Sequence, residues 1–189
     1  MKQKMILVTL LCFLGLIGTG AAYGVTQHPG LFSAAITFGT AFYHLAMRLM
    51  VGCGIDAIWH NHMDPTKWWF RERPFERGLY RALRVRAWKG RLPTFDPAAF
   101  AWDARTPGEI AGATCQSEVV HEVNMVLSFL PVVFSVWFGS LGVFLITSFA
   151  AFLFDSVFVI LQRYNRPRLM RVMERAQRRK GENNGNTHH

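Results

Sequence analysis

Four apolar runs punctuate the chain, at residues 5–23, 31–47, 120–138 and 143–161. Each is close to the roughly 20 residues that an α-helix needs to cross a bilayer core. The first two contain no Asp, Glu, Lys or Arg, and the last two contain only Glu122 and Asp155. The pattern predicts an all-α integral membrane protein with about four transmembrane helices. Residues 1–58 hold two N-terminal spans, 59–117 a basic, aromatic loop, 118–162 two C-terminal spans, and 163–189 a basic tail. The polar end of that tail, Gly181 to Thr187, has the composition of a disordered segment. Lys2 and Lys4 precede the first run, and its small-residue end, Gly18 to Ala22, also resembles a signal-peptide cleavage region. A retained helix is the preferred reading because a second span follows almost at once; cleavage stays open.

Between the spans, charge alternates. Lys2 and Lys4 lie before the first, Lys67, Arg71, Arg73, Arg77, Arg81, Arg84, Arg86, Lys89 and Arg91 lie in the loop, and Arg163, Arg166, Arg168, Arg171, Arg175, Arg178, Arg179 and Lys180 follow the last. The two short turns, around Gln27 to Gly30 and Gly139 to Gly142, carry no Lys or Arg. By the positive-inside rule both termini and the large loop face the cytoplasm, in a multi-pass protein of the cell membrane. Within the loop, Phe75 to Trp88 interleaves Leu79, Tyr80, Leu83 and Val85 with arginines, which predicts one amphipathic helix lying in the interface and ended by Pro93. The following stretch to Pro107 has turn composition and is expected to wrap over the cytoplasmic face.

The net charge of +9 narrows the partners. A nucleic-acid binder needs no lipid-length apolar segments, so anionic head groups of membrane lipids are the expected partners and nucleic acid is not. Cys12, Cys53 and Cys115 are scattered, with no Cys-x-x-Cys pair to suggest a disulfide framework or a zinc site. The stretch Trp59-His-Asn-His-Met-Asp64 reads as an interfacial histidine cluster, and no metal is expected. Phosphate-binding loops and the Gly-x-Ser-x-Gly elbow are absent from the sequence, which leaves ATP chemistry and a serine acyl-enzyme without support.

The chemistry-bearing residues sit where water gives way to lipid. Glu118 and His121 are one helical turn apart at the mouth of the third run, so they share a face. An ionisable pair is costly there, and a carboxylate beside an imidazole can orient it as a general base. Asn124 and Ser128 continue the stripe and are expected to form hydrogen bonds between helices. Glu122 points about a quarter-turn away and is a second-choice partner. Asp155, in the fourth run, is the most deeply placed carboxylate, so it is neutral, paired with a cation, or functional. His44 and Arg48, at i and i+4 near the end of the second run, are candidates to meet such carboxylates, although snorkelling accounts for Arg48 equally well.

Three blocks carry a resemblance. Gln162-Arg-Tyr-Asn-Arg-Pro-Arg-Leu169, Val85-Arg-Ala-Trp-Lys89, and Glu118-x-x-His121 leading into Leu127-Ser-Phe-Leu-Pro-Val-Val-Phe134 resemble, in order and spacing, motifs of the glycosyl-4,4'-diaponeurosporenoate acyltransferase family. The likeness covers roughly Trp68 to Lys180. It implies transfer of a long acyl chain from a thioester donor, such as acyl-CoA or acyl-carrier protein, to a hydroxyl of an amphipathic lipid, with no cofactor. In the family's staphyloxanthin-type reaction the acceptor is the sugar of a glycosylated carotenoid. Other glycolipids or lysolipids, and a non-catalytic scaffold, are the rival readings. On the resemblance His121 is the base and Glu118 its orienting carboxylate, and Trp88, Lys89, Arg163, Asn165 and Arg166 hold the donor phosphates or the sugar. Glu122, Asp155 and Arg48 are possible additions. The chain departs from the family pattern in a shorter Phe75-Glu-Arg-Gly78 segment and in Asp155, where Asn followed by Pro is common.

Overall fold

Helix is imposed wherever this chain meets lipid, because a backbone without water must satisfy its own N–H and C=O groups. The computed structural model describes residues 2–92 and 97–186. It is 84% helical, and no strand occurs among the described residues. The helices are α1 (Lys2–Thr26), α2 (Pro29–Trp59), α3 (Glu76–Ala82), α4 (Val85–Trp88), α5 (Pro107–Leu127), α6 (Leu130–Phe138) and α7 (Leu141–Asn186). Short 3-10 turns occupy Trp68–Phe70, Lys89–Arg91 and Pro97–Phe100. Four stretches are long and apolar enough to cross a membrane: Lys2–Thr26, Pro29–Trp59, Pro107–Phe138 and Leu141–Arg175.

The chain divides into two compact units. The first comprises the residues up to Ala57 with Val120–Ser156, and the second comprises Ile58–Val119 with the residues from Val157 onward. The first unit is inside-out relative to a water-soluble protein. Leu7, Leu10, Leu11, Leu14 and Ile17 along α1 are 54–64% exposed, whereas Thr40, His44, Asn124, Ser128, Ser148 and Asp155 are buried. Such a distribution is stable where hydrocarbon is the solvent. The second unit is built conventionally, with Ile110, Ala111 and Leu169 packed against Phe100 and Met173.

Proline divides the third span. Pro131 has no N–H to give the carbonyl of Leu127, four residues back, and α5 ends there while α6 starts anew at Leu130. The Tyr43 hydroxyl donates to that Leu127 carbonyl at 2.8 Å, so the group freed by the break is satisfied by α2. At the other end of α5, Thr106 is the cap. Its N–H and hydroxyl both donate to Glu109 Oε2 at 2.8 and 2.9 Å, and the Glu109 N–H returns a bond to Thr106 Oγ1 at 3.3 Å, a capping box with Pro107 in the first turn.

Four expectations need correction. The third span starts well before Val120, because α5 begins at Pro107 inside what reads as loop. The expected amphipathic helix over Phe75–Trp88 is broken: Leu83 caps α3, and Arg84 adopts a left-handed conformation (φ 49°) before α4 starts. The basic tail is not a separate segment, because α7 runs unbroken through Pro167 to Asn186. The last three residues lie outside the described chain, as does the expected helix stop at Pro93. Ser128 donates to the Asn124 carbonyl of its own helix at 2.7 Å rather than across to a neighbour.

Candidate active site

In the first unit three helices converge on one carboxylate. His121 of α5 places Nδ1 2.8 Å from Asp155 Oδ1 of α7. Arg48 of α2 donates to the other oxygen of Asp155 through Nη2. Arg48 is itself held by backbone carbonyls, through Nη1 to His44 at 2.7 Å and Nη2 to Ala151 at 3.3 Å, and its guanidinium lies 5.7 Å over the Phe154 ring. Asp155 is fully buried, whereas the His121 side chain keeps 20% of its surface. One anion against one cation leaves the cluster neutral when His121 is neutral, which is what makes it tolerable in a membrane-length helix.

The carboxylate also sets the tautomer. Against an ionised carboxylate, which only accepts hydrogen bonds, a neutral imidazole presents Nδ1–H and carries its lone pair on Nε2. That is the protonation state of a general base. The sequence alone pairs His121 with Glu118; in the structure Nδ1 meets Asp155. His44 on α2, Asn124 on α5 and Ser148 on α7 are buried as well, and the two ring nitrogens of His44, Oδ1 of Asn124 and Oγ of Ser148 have no hydrogen-bond partner among the described residues. Buried polar atoms with unmet hydrogen bonds suit a site that receives a polar ligand group.

Glu118 serves a different cluster, within the second unit. Its carboxylate is fully buried, with Arg163 Nε at 2.9 Å from Oε1 and Arg166 Nη2 bonded to Oε2. Arg163 also pairs with Glu76, which accepts from the Tyr80 hydroxyl at 2.7 Å. Each guanidinium ties down the turn at Trp68–Phe70: Arg163 Nη2 donates to the Trp69 carbonyl and Arg166 Nη1 to that of Phe70, both at 3.0 Å, with Arg166 stacked over the Phe70 ring. Two carboxylates against two guanidiniums balance one another. Burial, and then the bond to Glu76, raise the Tyr80 phenol above its ordinary range.

The residues expected to bind substrate are therefore largely committed to the fold. Arg163 and Arg166 spend donors on Glu76, Glu118 and two backbone carbonyls. Asn165 Oδ1 accepts from Lys89 at 3.3 Å, and the Trp88 indole N–H donates to the Leu83 carbonyl at 2.9 Å. Partial burial, and then the guanidiniums of Arg168 and Arg86, lower the Lys89 ammonium below the usual lysine range. Glu122 is half-buried on α5. At the histidine stretch, Asp64 accepts from the Thr66 hydroxyl at 2.7 Å and its N–H at 2.8 Å, which lowers its pKa and spends Oδ1 on a local turn. No group of three His, Cys, Asp or Glu residues that would hold a metal occurs among the described residues.

Long apolar helices with a histidine, a carboxylate and an arginine joined among them define a polytopic helical membrane protein with an intramembrane ionisable centre. A family model described as glycosyl-4,4'-diaponeurosporenoate acyltransferase matches residues 66–175, more than half of the 189-residue chain. The chain belongs to that family, whose name denotes acyl transfer. Comparisons with curated proteins and with solved structures gave no match.

Proposed function

We propose that the protein moves a long acyl chain from a thioester donor to a hydroxyl of an amphipathic lipid in the cell membrane, and that His121 is the base. The observation that carries this reading is the hydrogen bond from His121 to Asp155, with Arg48 on the far oxygen. Nε2 of His121 takes the proton of the acceptor hydroxyl as its oxygen attacks the thioester carbonyl. The tetrahedral intermediate collapses, the C–S bond breaks, and the proton passes from the imidazolium to the departing sulfur. Asp155 accepts from Nδ1–H and stabilises the imidazolium, while Arg48 fixes the carboxylate.

The acceptor hydroxyl belongs to a sugar on a long polyene lipid if the chain follows its family's description. The charge pattern supports an orientation with both termini and the 59–117 segment cytoplasmic, on the side where thioester donors are made. Lipid extracts of cells lacking the protein, compared with cells complemented by wild type, test the reading. An acylated glycolipid present only in the complemented cells is expected. Identical ester profiles in both, with the protein present in the complemented membranes, would overturn it.

A further inference from the structure

The second unit contains an open cleft of about 1640 Å³ whose lining includes none of His121, Asp155 and Arg48. It exceeds the roughly 300–1,000 Å³ of ordinary small-ligand pockets. Its lining holds eight arginines and two glutamates, Glu72 and Glu174, and no lysine or aspartate. Arg77 is spoken for by Glu72, at 3.0 Å, and Arg166 by Glu118. The other six, Arg71, Arg81, Arg84, Arg86, Arg168 and Arg171, make no ion pair with a carboxylate among the described residues.

Six cations against the single remaining carboxylate, Glu174, leave the concavity positive and repel one another, and the local backbone increases their crowding. On a continuous helix Arg84 and Arg86 would point about 200° apart. The left-handed residue at Arg84 breaks the helix between α3 and α4, and both side chains line the same cleft. A non-glycine residue in that conformation costs free energy, so the arrangement runs against both sterics and charge repulsion. Arg168 is also laid over the Tyr164 ring, 5.2 Å from its centroid, and Lys89 over the same ring at 5.1 Å. The lowered Lys89 pKa has those neighbouring guanidiniums among its causes and reports the same positive field.

A guanidinium meets a phosphate through two parallel N–H···O bonds. Arg171 gives one donor to the Pro167 carbonyl and Arg168 one to the Tyr164 hydroxyl, and the donors that remain on the six guanidiniums match several phosphates carried on one compact molecule. A single lipid phosphate is too little charge for the cleft, and an acidic protein surface calls for a spread, flat array rather than a concavity. We propose that this cleft binds the phosphorylated nucleotide end of a coenzyme A-type acyl donor, with the arginines on its diphosphate and ribose phosphate. The proposal rests on the acyl-transfer reading above, whose donor it identifies.

Full-length protein in uncharged phosphatidylcholine nanodiscs, titrated by calorimetry, provides the test. Coenzyme A is expected to bind at least tenfold more tightly than 3'-dephospho-coenzyme A, with affinity falling steeply as salt rises. Arg84→Gln and Arg71→Gln, both at exposed positions, should each weaken coenzyme A binding several-fold, and Arg84→Lys should restore part of it. His121→Ala should bind coenzyme A as wild type does, so loss of product in that variant reports on the chemistry and not on the cleft. Equal weak binding of coenzyme A, its dephospho form and inorganic phosphate would overturn the proposal. So would tight binding of holo-acyl carrier protein with none of coenzyme A, or arginine substitutions that change only attachment to phosphatidylglycerol vesicles.

Discussion

Replacing Asp155 by Asn exchanges one carboxylate oxygen for an NH₂ group and should invert the chemistry of His121. The amide has one donor end and one acceptor end, where the carboxylate offers two acceptors. Arg48 can only donate, so it selects the amide oxygen and turns the NH₂ toward His121 Nδ1, now separated by 2.8 Å from a donor. The imidazole answers by accepting at Nδ1 and carrying its proton on Nε2, where it can no longer act as base. Misassigned tautomers of this kind cost about 10²–10⁴ in turnover, or about 3–5 kcal/mol of barrier. Arg48 also loses its counter-ion, which costs about 3–5 kcal/mol of folding stability, so turnover must be expressed per folded molecule. The decisive comparison adds Arg48→Met to Asp155→Asn. Without the arginine the amide is free to turn its oxygen back to Nδ1–H, and the double variant should recover tenfold or more over the single. Turnover in detergent-solubilised membranes, normalised to monodisperse protein on gel filtration, is the assay. Asp155→Asn within about threefold of wild type, or a double variant less active than the single, would refute the tautomer argument.

Glu118→Gln should behave in the opposite way, with folded yield falling sharply because Arg163 and Arg166 lose a shared anion at about 3–5 kcal/mol, while turnover per folded molecule stays within about fivefold. Melting curves and specific activity on one preparation separate the two. Gly112→Ala places a Cβ 2.5 Å from the Asn61 carbonyl oxygen and 3.2 Å from that of Met63, both backbone atoms, and overpacking of this kind costs about 1–3 kcal/mol. At about 2–4 °C per kcal/mol a lowered melting temperature is expected, and an unchanged one would contradict the close approach of α5 to that turn. Tyr80 has a raised pKa, so its contribution to stability is whole below about pH 10 and is lost as the pH climbs from there toward the folded value. Stability plotted against pH should fall more steeply above pH 10 in wild type than in Tyr80→Phe, and parallel curves would contradict it.

Much of the membrane architecture could be read directly, because lipid imposes length and polarity on a span whatever its neighbours do. Each of the four apolar runs lies within a helical stretch of membrane length, the third divided at Pro131. The 107–119 stretch was harder, since it packs through Ala111, Gly112, Ala113, Thr114 and Cys115 rather than through a stripe of large apolar residues. Its start was nonetheless marked by Thr106-Pro-Gly-Glu109, a capping-box spacing with proline in the first turn. The break at Arg84 carries no local signal, as arginine has no preference for the left-handed region. For the candidate site, periodicity placed His121 and Glu118 on neighbouring positions of one helix and could go no further. The choice between Glu118 and Asp155 as the Nδ1 partner depends on how α2, α5 and α7 pack, and 34 residues separate His121 from Asp155. The cleft arginines were visible as a dense run, but which of them lack counter-ions is a property of the fold alone.

The central claim is that His121 removes the proton of an acceptor hydroxyl. It is tested most directly by single-turnover transfer of a radiolabelled acyl chain, comparing wild type with His121→Ala at equal amounts of folded protein. The account predicts labelled glycolipid ester from wild type and at least a hundredfold slower formation from His121→Ala, with partial rescue by added imidazole. Ester formed by His121→Ala at the wild-type rate would contradict it.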